Sequence, residues 1–349
     1  MKVMTPHYYK DFRCIAGACT DTCCAGWDVD VDKDSYKYYK TVKGAFGKRL
    51  KSVMVPSQDG ECTFTLKEGG RCPFLNNDNL CDLYIELGED KLCETCAEFP
   101  RFINDYGNIR EIGIAPSCKT AGELMFSYKD ELTFDTVEDN SLTLEPNDID
   151  AYTYMHLRQA RIVAFGIISD RDISIFERLM LYLDYAKRIQ KHLDAEKDEL
   201  IAGVAKRFCG ADYREELLDK LKSRDEKLHG KRLIKGLRHF FDDFKGMEVI
   251  NPDWNIHVAR VRQFLDGLAD DSGLAAVMKT YHAGSEAFAH EYEQLAMYYV
   301  YRYMLDAVND YDILLKAKNA VIGILAVDIM AAANQASGCM PDFTMRVDI

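Results

Sequence analysis

Ten of the chain's twelve cysteines lie between Cys14 and Cys118, so the chemistry of this sequence gathers in its first third. The run CIAGACTDTCC gives Cys14, Cys19 and the adjacent pair Cys23 and Cys24. Cys72 and Cys81 follow in RCPFLNNDNLC, Cys93 and Cys96 in LCETC, and Cys118 in APSC. A C-x2-C step lets two thiolates reach one metal from a single turn. Adjacent cysteines do this poorly. Cys23 and Cys24 more naturally serve two metals, two irons of one cluster, or one metal and one buried neighbour. Nine thiols exceed one four-cysteine site, which leaves either one cluster with spare thiols beside it or two metal sites. Cys62, in the alternating stretch ECTFTL, reads as a strand residue and less as a ligand. The spacing matches neither a ferredoxin run nor the paired knuckles of a zinc ribbon, so spacing alone leaves the metal open.

Disulfides are the competing use of clustered thiols. The opening MKVMTPHYYKDFRC lacks the apolar stretch of a secretory signal, so a cytoplasmic location is expected, and structural disulfides are rare there. Metal ligation follows, either as a zinc-stapled scaffold without turnover, as an electron carrier, or as part of an enzyme. A net charge of −13 argues against nucleic acid or an anionic membrane as partner and suits a basic one. No phosphate loop, dinucleotide fingerprint, zinc-protease helix or nucleophile elbow is present. The eight histidines are scattered, and none is spaced to share a metal with another.

The elements that must position these thiols are mixed. A chain of 349 residues that is 48% hydrophobic can bury a core without covalent staples. Residues 34–54 predict a helix capped by Asp34 or Ser35. A hairpin and short helix are expected across KEGGRCPFLNNDNLCDLYIELGED, and a second hairpin at Tyr106-Gly107-Asn108. A helix and then a strand follow in TAGELMFSYKDELTFD. Beyond residue 147 the apolar residues recur at three- and four-residue steps, which predicts helices. Residues 320–333 are apolar but short for a bilayer and carry Asp328, so a buried helix is expected. Lys231, Lys235 and Arg238 predict a solvated basic face, and Tyr292, Tyr298, Tyr299, Tyr301 and Tyr303 predict core packing before cavity lining. The fold class is mostly α (α+β). A cysteine-rich metal-binding module with short hairpins, residues 1–125, is expected to pack on a mainly helical domain, residues 126–349.

The pattern DFRCIAGACTDTCCAGW, RCPFL, LCETCAEFPR and APSC resembles that of the flagellin lysine-N-methylase family, which is related to zinc- or iron-chelating cysteine-cluster proteins. The resemblance is specific over residues 11–120 and looser in RQARIVAFGIISDRDISIFERLMLYL and around EYEQLAMYYVYRYML. It implies a methyltransferase acting on lysines of flagellin, with S-adenosylmethionine as donor. It also implies an iron–sulfur cluster, four-iron in the first expectation and zinc in the alternative. Carried over by position, Cys14, Cys19, Cys23, Cys24, Cys72, Cys81, Cys93, Cys96 and Cys118 match the family's cysteines. Lys119 stands where members often have proline. The resemblance names no catalytic side chain and no donor pocket. Tyr299, Tyr301 and Tyr303 are candidates for an aromatic pocket around the target amine.

Overall fold

The computed structural model describes residues 1–57, 60–142, 148–228, 232–246 and 253–338. It is mainly helical with two small sheets. Strand β1 (Lys2–Pro6) is followed by the cysteine-bearing loop and the short strand β2 (Asp30–Val31). The stretch expected as one helix forms two, α1 (Lys33–Thr41) and α2 (Gly44–Val53). The break has a local cause. Gly44 takes φ +79, a backbone state cheap only for glycine, so the helix cannot run through it. The cap is Asp32, not Asp34 or Ser35; its carboxylate accepts from the backbone N–H groups of both. Strands β3 (Met54–Pro56) and β4 (Cys62–Phe64) complete a three-stranded sheet in the order β2-β4-β3. The one-turn helices α3 (Asp82–Leu87) and α4 (Glu94–Glu98) close this module over a core that includes Tyr39, Leu50, Phe64 and Phe74.

The next hairpin forms where expected. Strand β5 (Arg101–Tyr106) turns through Gly107, at φ 58, into β6 (Ile109–Ile114). Helix α5 (Lys119–Ser127) and strand β7 (Phe134–Glu138) follow. The second sheet runs β5-β6-β1-β7, so the first residues of the chain lie inside it, parallel to β6 and antiparallel to β7. The expected division at 125/126 falls within α5, and residues on both sides of it, among them Ile114, Met125 and Leu157, share one core.

The rest is helical: α6 (Ala151–Ile168), α7 (Ile175–Leu193), α8 (Ile201–Phe208), α9 (Ala211–Leu228), α10 (Arg232–Asp243), α11 (Asp253–Gly267), α12 (Asp271–Ser285), α13 (Ala289–Tyr303), α14 (Ala307–Asp310) and α15 (Ile313–Ala336). A capping box starts α7: Ser174 accepts from Glu177 N–H, and the Glu177 carboxylate accepts from Ser174 N–H. Helix α15 contains the apolar run 320–333 and buries most of it, with Asp328 inside, while Ile322 and Leu325 stay exposed. Among the described residues no helix is long and apolar enough to cross a membrane. Of the basic face, Lys231 lies outside the described residues, and Arg238 pairs with Asp266 at 2.9 Å.

One ion pair pins the sheet to the helices. Glu111 on β6 is 0% exposed and is gripped by both terminal nitrogens of Arg161 on α6, one at 2.7 Å. Arg161 also donates to the Tyr301 carbonyl at 3.2 Å. The Tyr301 hydroxyl donates back to the sheet, to Met4 O at 2.7 Å and Ile112 O at 3.3 Å. Removing one partner strands a buried charge, so Glu111→Gln or Arg161→Met is expected to lower unfolding free energy by about 3–5 kcal/mol. Urea denaturation measures it, and a double variant less unstable than the sum of the singles identifies the pair as the cause.

Candidate metal centre and adjoining cleft

The module brings together thiols that lie far apart in sequence, and backbone bonds hold the loops that carry them. Cys72 N–H donates to Cys24 O at 2.7 Å, and Trp27 Nε1 donates to Cys23 O at 2.8 Å. The expected hairpin over 67–90 reduces to isolated bridges, Lys67 with Arg71 and Leu75 with Cys81. Asn76 shapes the turn between them by accepting from the N–H groups of Asp78 and Leu80. Arg49 clamps the turn from α2, donating to Asp82 and to Pro73 O, each at 2.6 Å. Asp32 reaches across with its second oxygen to accept from Glu94 N–H at 3.0 Å, beside Cys93. Tyr39 donates to Lys91 O at 2.7 Å from the same side. Sequence reading overlooked Asp32, although an aspartate just before a helical stretch is itself a cap signal.

The adjacent cysteines face different company. The Cys24 thiol lies within electrostatic reach of Cys72, Cys81 and Cys96. Cys23 lies within reach of Cys19, Cys81 and Cys118. Cys14 is exposed and within reach of Cys19. No disulfide joins these thiols; all the described cysteines are free. Cys81, Cys93 and Cys118 each stand at the N-cap of a helix, where free backbone N–H groups favour a thiolate. Cys62, in β4, is buried in the module core; burial and then the neighbouring Cys93 push its thiol up to about 11.

Two thiol pairs set each other's charge. A hydrogen bond from Cys24 lowers Cys23, and the same bond with burial pushes Cys24 far up. Cys93 and Cys96 repeat this, Cys93 lowered by Cys96 and Cys96 raised. Burial raises Cys72, Cys81 and Cys118 above the ordinary thiol range. Nearby thiolates repel one another, so a full set ionises only around added positive charge. Unbridged thiols gathered in one module fit a thiolate-bound metal or cluster by donor type. Among the described residues no three His, Cys, Asp or Glu side chains are drawn together tightly enough to hold a metal ion as they stand.

Beside Cys19 and the start of α5 opens a cleft of about 210 Å3. Ile15, Cys19 and Thr20 line one side, and Lys119, Thr120 and Glu123 the other. The aromatic candidates lie elsewhere. Tyr301 is in the core with its hydroxyl engaged. Tyr303, with Tyr298 and Phe102, surrounds a cation that the chain supplies itself. The Arg302 guanidinium lies 4.9 Å, 5.8 Å and 5.0 Å from those ring centres. Tyr292 hydrogen-bonds to Tyr281 at 2.9 Å and to buried Asp328 at 3.1 Å, and His282 completes that network.

An α+β chain with a thiol-lined module on a helical body is the class that fold and site define. The family model described as the FliB lysine N-methylase C-terminal domain matches residues 161–348, just over half of the chain, and the chain belongs to that family. The flagellar biosynthetic protein FliU of Salmonella muenchen is 30% identical over 121 residues, covering 33% of this chain and 72% of that protein. Lysine-N-methylases of Salmonella choleraesuis and Salmonella typhimurium are each 29% identical over 121 residues, 33% of this chain and 30% of theirs. The chain therefore spans under a third of those lysine-N-methylases. No solved structure matches.

Asp32 gives the module a pH signature. Partial burial raises its pKa, but the N–H groups of Glu94 and Ser35 outweigh that and hold it below the ordinary carboxylate value. A depressed folded-state pKa adds stability that is fully present above the unfolded value of about 3.9 and lost as pH falls through the folded value. Asp32→Ala is expected to destabilise by about 0.5–2 kcal/mol at neutral pH. The gap from wild type should close below about pH 4. Urea titrations at several pH values check both; a gap that persists at acid pH contradicts the assignment.

Proposed function

We propose that the protein is a lysine N-methyltransferase acting on flagellin, with S-adenosylmethionine as donor and a cysteine-ligated iron–sulfur cluster in the N-terminal module. Family membership carries this reading, and the gathered free thiols support its metal component. Cys24, Cys72, Cys81, Cys93 and Cys96 are the residues we assign to the cluster first, because their thiols lie within reach of one another. Cys14, Cys19 and Cys118 form the outer group, with Cys23 between the two. A cluster with an iron not capped by cysteine would supply a Lewis-acidic point for the amino-carboxylate end of the donor.

The chemistry demanded of the protein is simple to state. The lysine nitrogen forms a bond to the sulfonium methyl, the sulfur–carbon bond breaks with its electrons going to sulfur, and the nitrogen gives up a proton. The amine must be neutral to attack, against a free pKa near ~10.4. The protein therefore has to desolvate the ammonium or set it near other charges. The aromatic box around Arg302 is already filled, so the cleft at Cys19 and Glu123 is the better place for that task.

Cys72 and Cys93, buried in the module core, favour one second reading, a metal-stapled scaffold without turnover. Protein prepared without air and reconstituted with iron and sulfide separates the two. The methyltransferase is expected to place methyl groups on flagellin lysines, read by mass spectrometry, and Cys24→Ser or Cys96→Ser to lose most of the iron and the activity together. Full iron and sulfide occupancy with no methyl transfer would leave the scaffold.

A further inference from the structure

Resting on the methyl-transfer reading, we propose that the cleft between the Cys14–Thr20 loop and the start of α5 receives the acceptor lysine side chain, with Glu123 holding its ammonium. The cleft's walls divide by chemistry. Ile15, 45% exposed, and Ala18 present apolar surface, which suits a stem of four methylenes. Glu123 stands half-buried on the second turn of α5 and makes no hydrogen bond or ion pair among the described residues. Glu123 therefore presents a carboxylate open to a partner, and an ammonium is the partner its charge suits. Asp21, within electrostatic reach of Cys19, adds a second carboxylate near that edge. Lys119 lines the same wall as Glu123 and already has an interaction of its own. Two carboxylates against one engaged lysine leave the entrance attractive to a cation.

Position completes the case. Cys19 is part of the wall, and Cys118 directly precedes Lys119. A lysine seated against Glu123 therefore brings its nitrogen alongside the outer thiol group. The rival cation site, the box of Phe102, Tyr298 and Tyr303, holds Arg302. Asp328 is enclosed by His282 and Tyr292 and offers no open carboxylate.

The test is a binding cycle that needs no turnover. A fluorescent flagellin peptide with one lysine, and its norleucine counterpart, are titrated by anisotropy against full-length wild type and Glu123→Gln. Either change alone is expected to weaken binding about tenfold, or ~1.4 kcal/mol. Both together should cost no more than one, since they remove the same contact. Ile15→Asn, on an exposed wall, should weaken both peptides alike. Equal affinity of wild type and Glu123→Gln for the lysine peptide, with unchanged urea midpoints, overturns the assignment. Should Glu123→Gln shift its midpoint, Glu123→Lys takes its place in the cycle; undiminished lysine-peptide binding there overturns the assignment too. An intact cycle with no methyl transfer by iron-loaded protein rejects the enzyme reading and upholds the cleft as a lysine-binding site.

Discussion

The buried contact between Glu111 and Arg161 sets the geometry of everything around it. Glu111 lies on β6, whose neighbours are the hairpin strand β5 and the N-terminal strand β1. Arg161 is on α6 and reaches both the carboxylate and the Tyr301 carbonyl on α13. A charge with no access to water tolerates little displacement, because any lengthening leaves it uncompensated. The sheet is thereby held at one place on the helical body. Strand β6 ends four residues before Cys118, so that thiol is placed from the body's side. Cys72 and Cys93 are placed from the module's own core. The cysteine ensemble is thus assembled from two directions, and Cys23, within reach of both groups, lies where they meet.

The thiols impose the opposite kind of constraint. Glu111 and Arg161 neutralise each other, whereas gathered cysteines can only repel as they ionise. Within the Cys23/Cys24 and Cys93/Cys96 pairs one thiol is lowered and its partner raised, so that one of the two stays uncharged. Helix N-termini at Cys81, Cys93 and Cys118 ease the burden further, since their N–H groups have no helical partners. These devices supply partial charges. Binding several thiolates at once calls for whole positive charges, and that is the physical argument for a metal centre, independent of which metal it is.

Much of this was legible in the sequence, for identifiable reasons. The helices α6, α7 and α13 announced themselves through apolar periodicity, and the β5–β6 hairpin through Tyr106-Gly107-Asn108. These are local signals. The break between α1 and α2 is also local, but a single glycine in an otherwise helical pattern is easily read through. The burial of β1 within the second sheet is not local at all. It depends on pairing Val3 with Arg110 and with Val137, contacts separated by more than a hundred residues. Glu123 carried no signal in sequence, because its interest lies in the partner it lacks. Tyr292, Tyr298 and Tyr301 of α13 are core, yet which ring guards a cation is settled by Arg302, an i+4 neighbour of Tyr298 whose guanidinium turns back onto it.

That self-filled box bears on how a lysine-directed site can be built at all. Aromatic faces attract a cation but do little to discharge it, since the ring quadrupole favours the charged form. Methyl transfer needs the neutral amine, so a box that stabilises ammonium would work against the reaction it serves. A carboxylate also favours the charged form; what it adds is an oxygen that can accept the proton the nitrogen gives up. Lys119, on the same wall as Glu123, adds like charge, which disfavours keeping the proton on the seated nitrogen. The chain's placement of Arg302 in the aromatic box and of Glu123 in the open cleft therefore assigns the two sites different work. The first locks α13 against the sheet through Phe102, and the second is left available to a cation from outside.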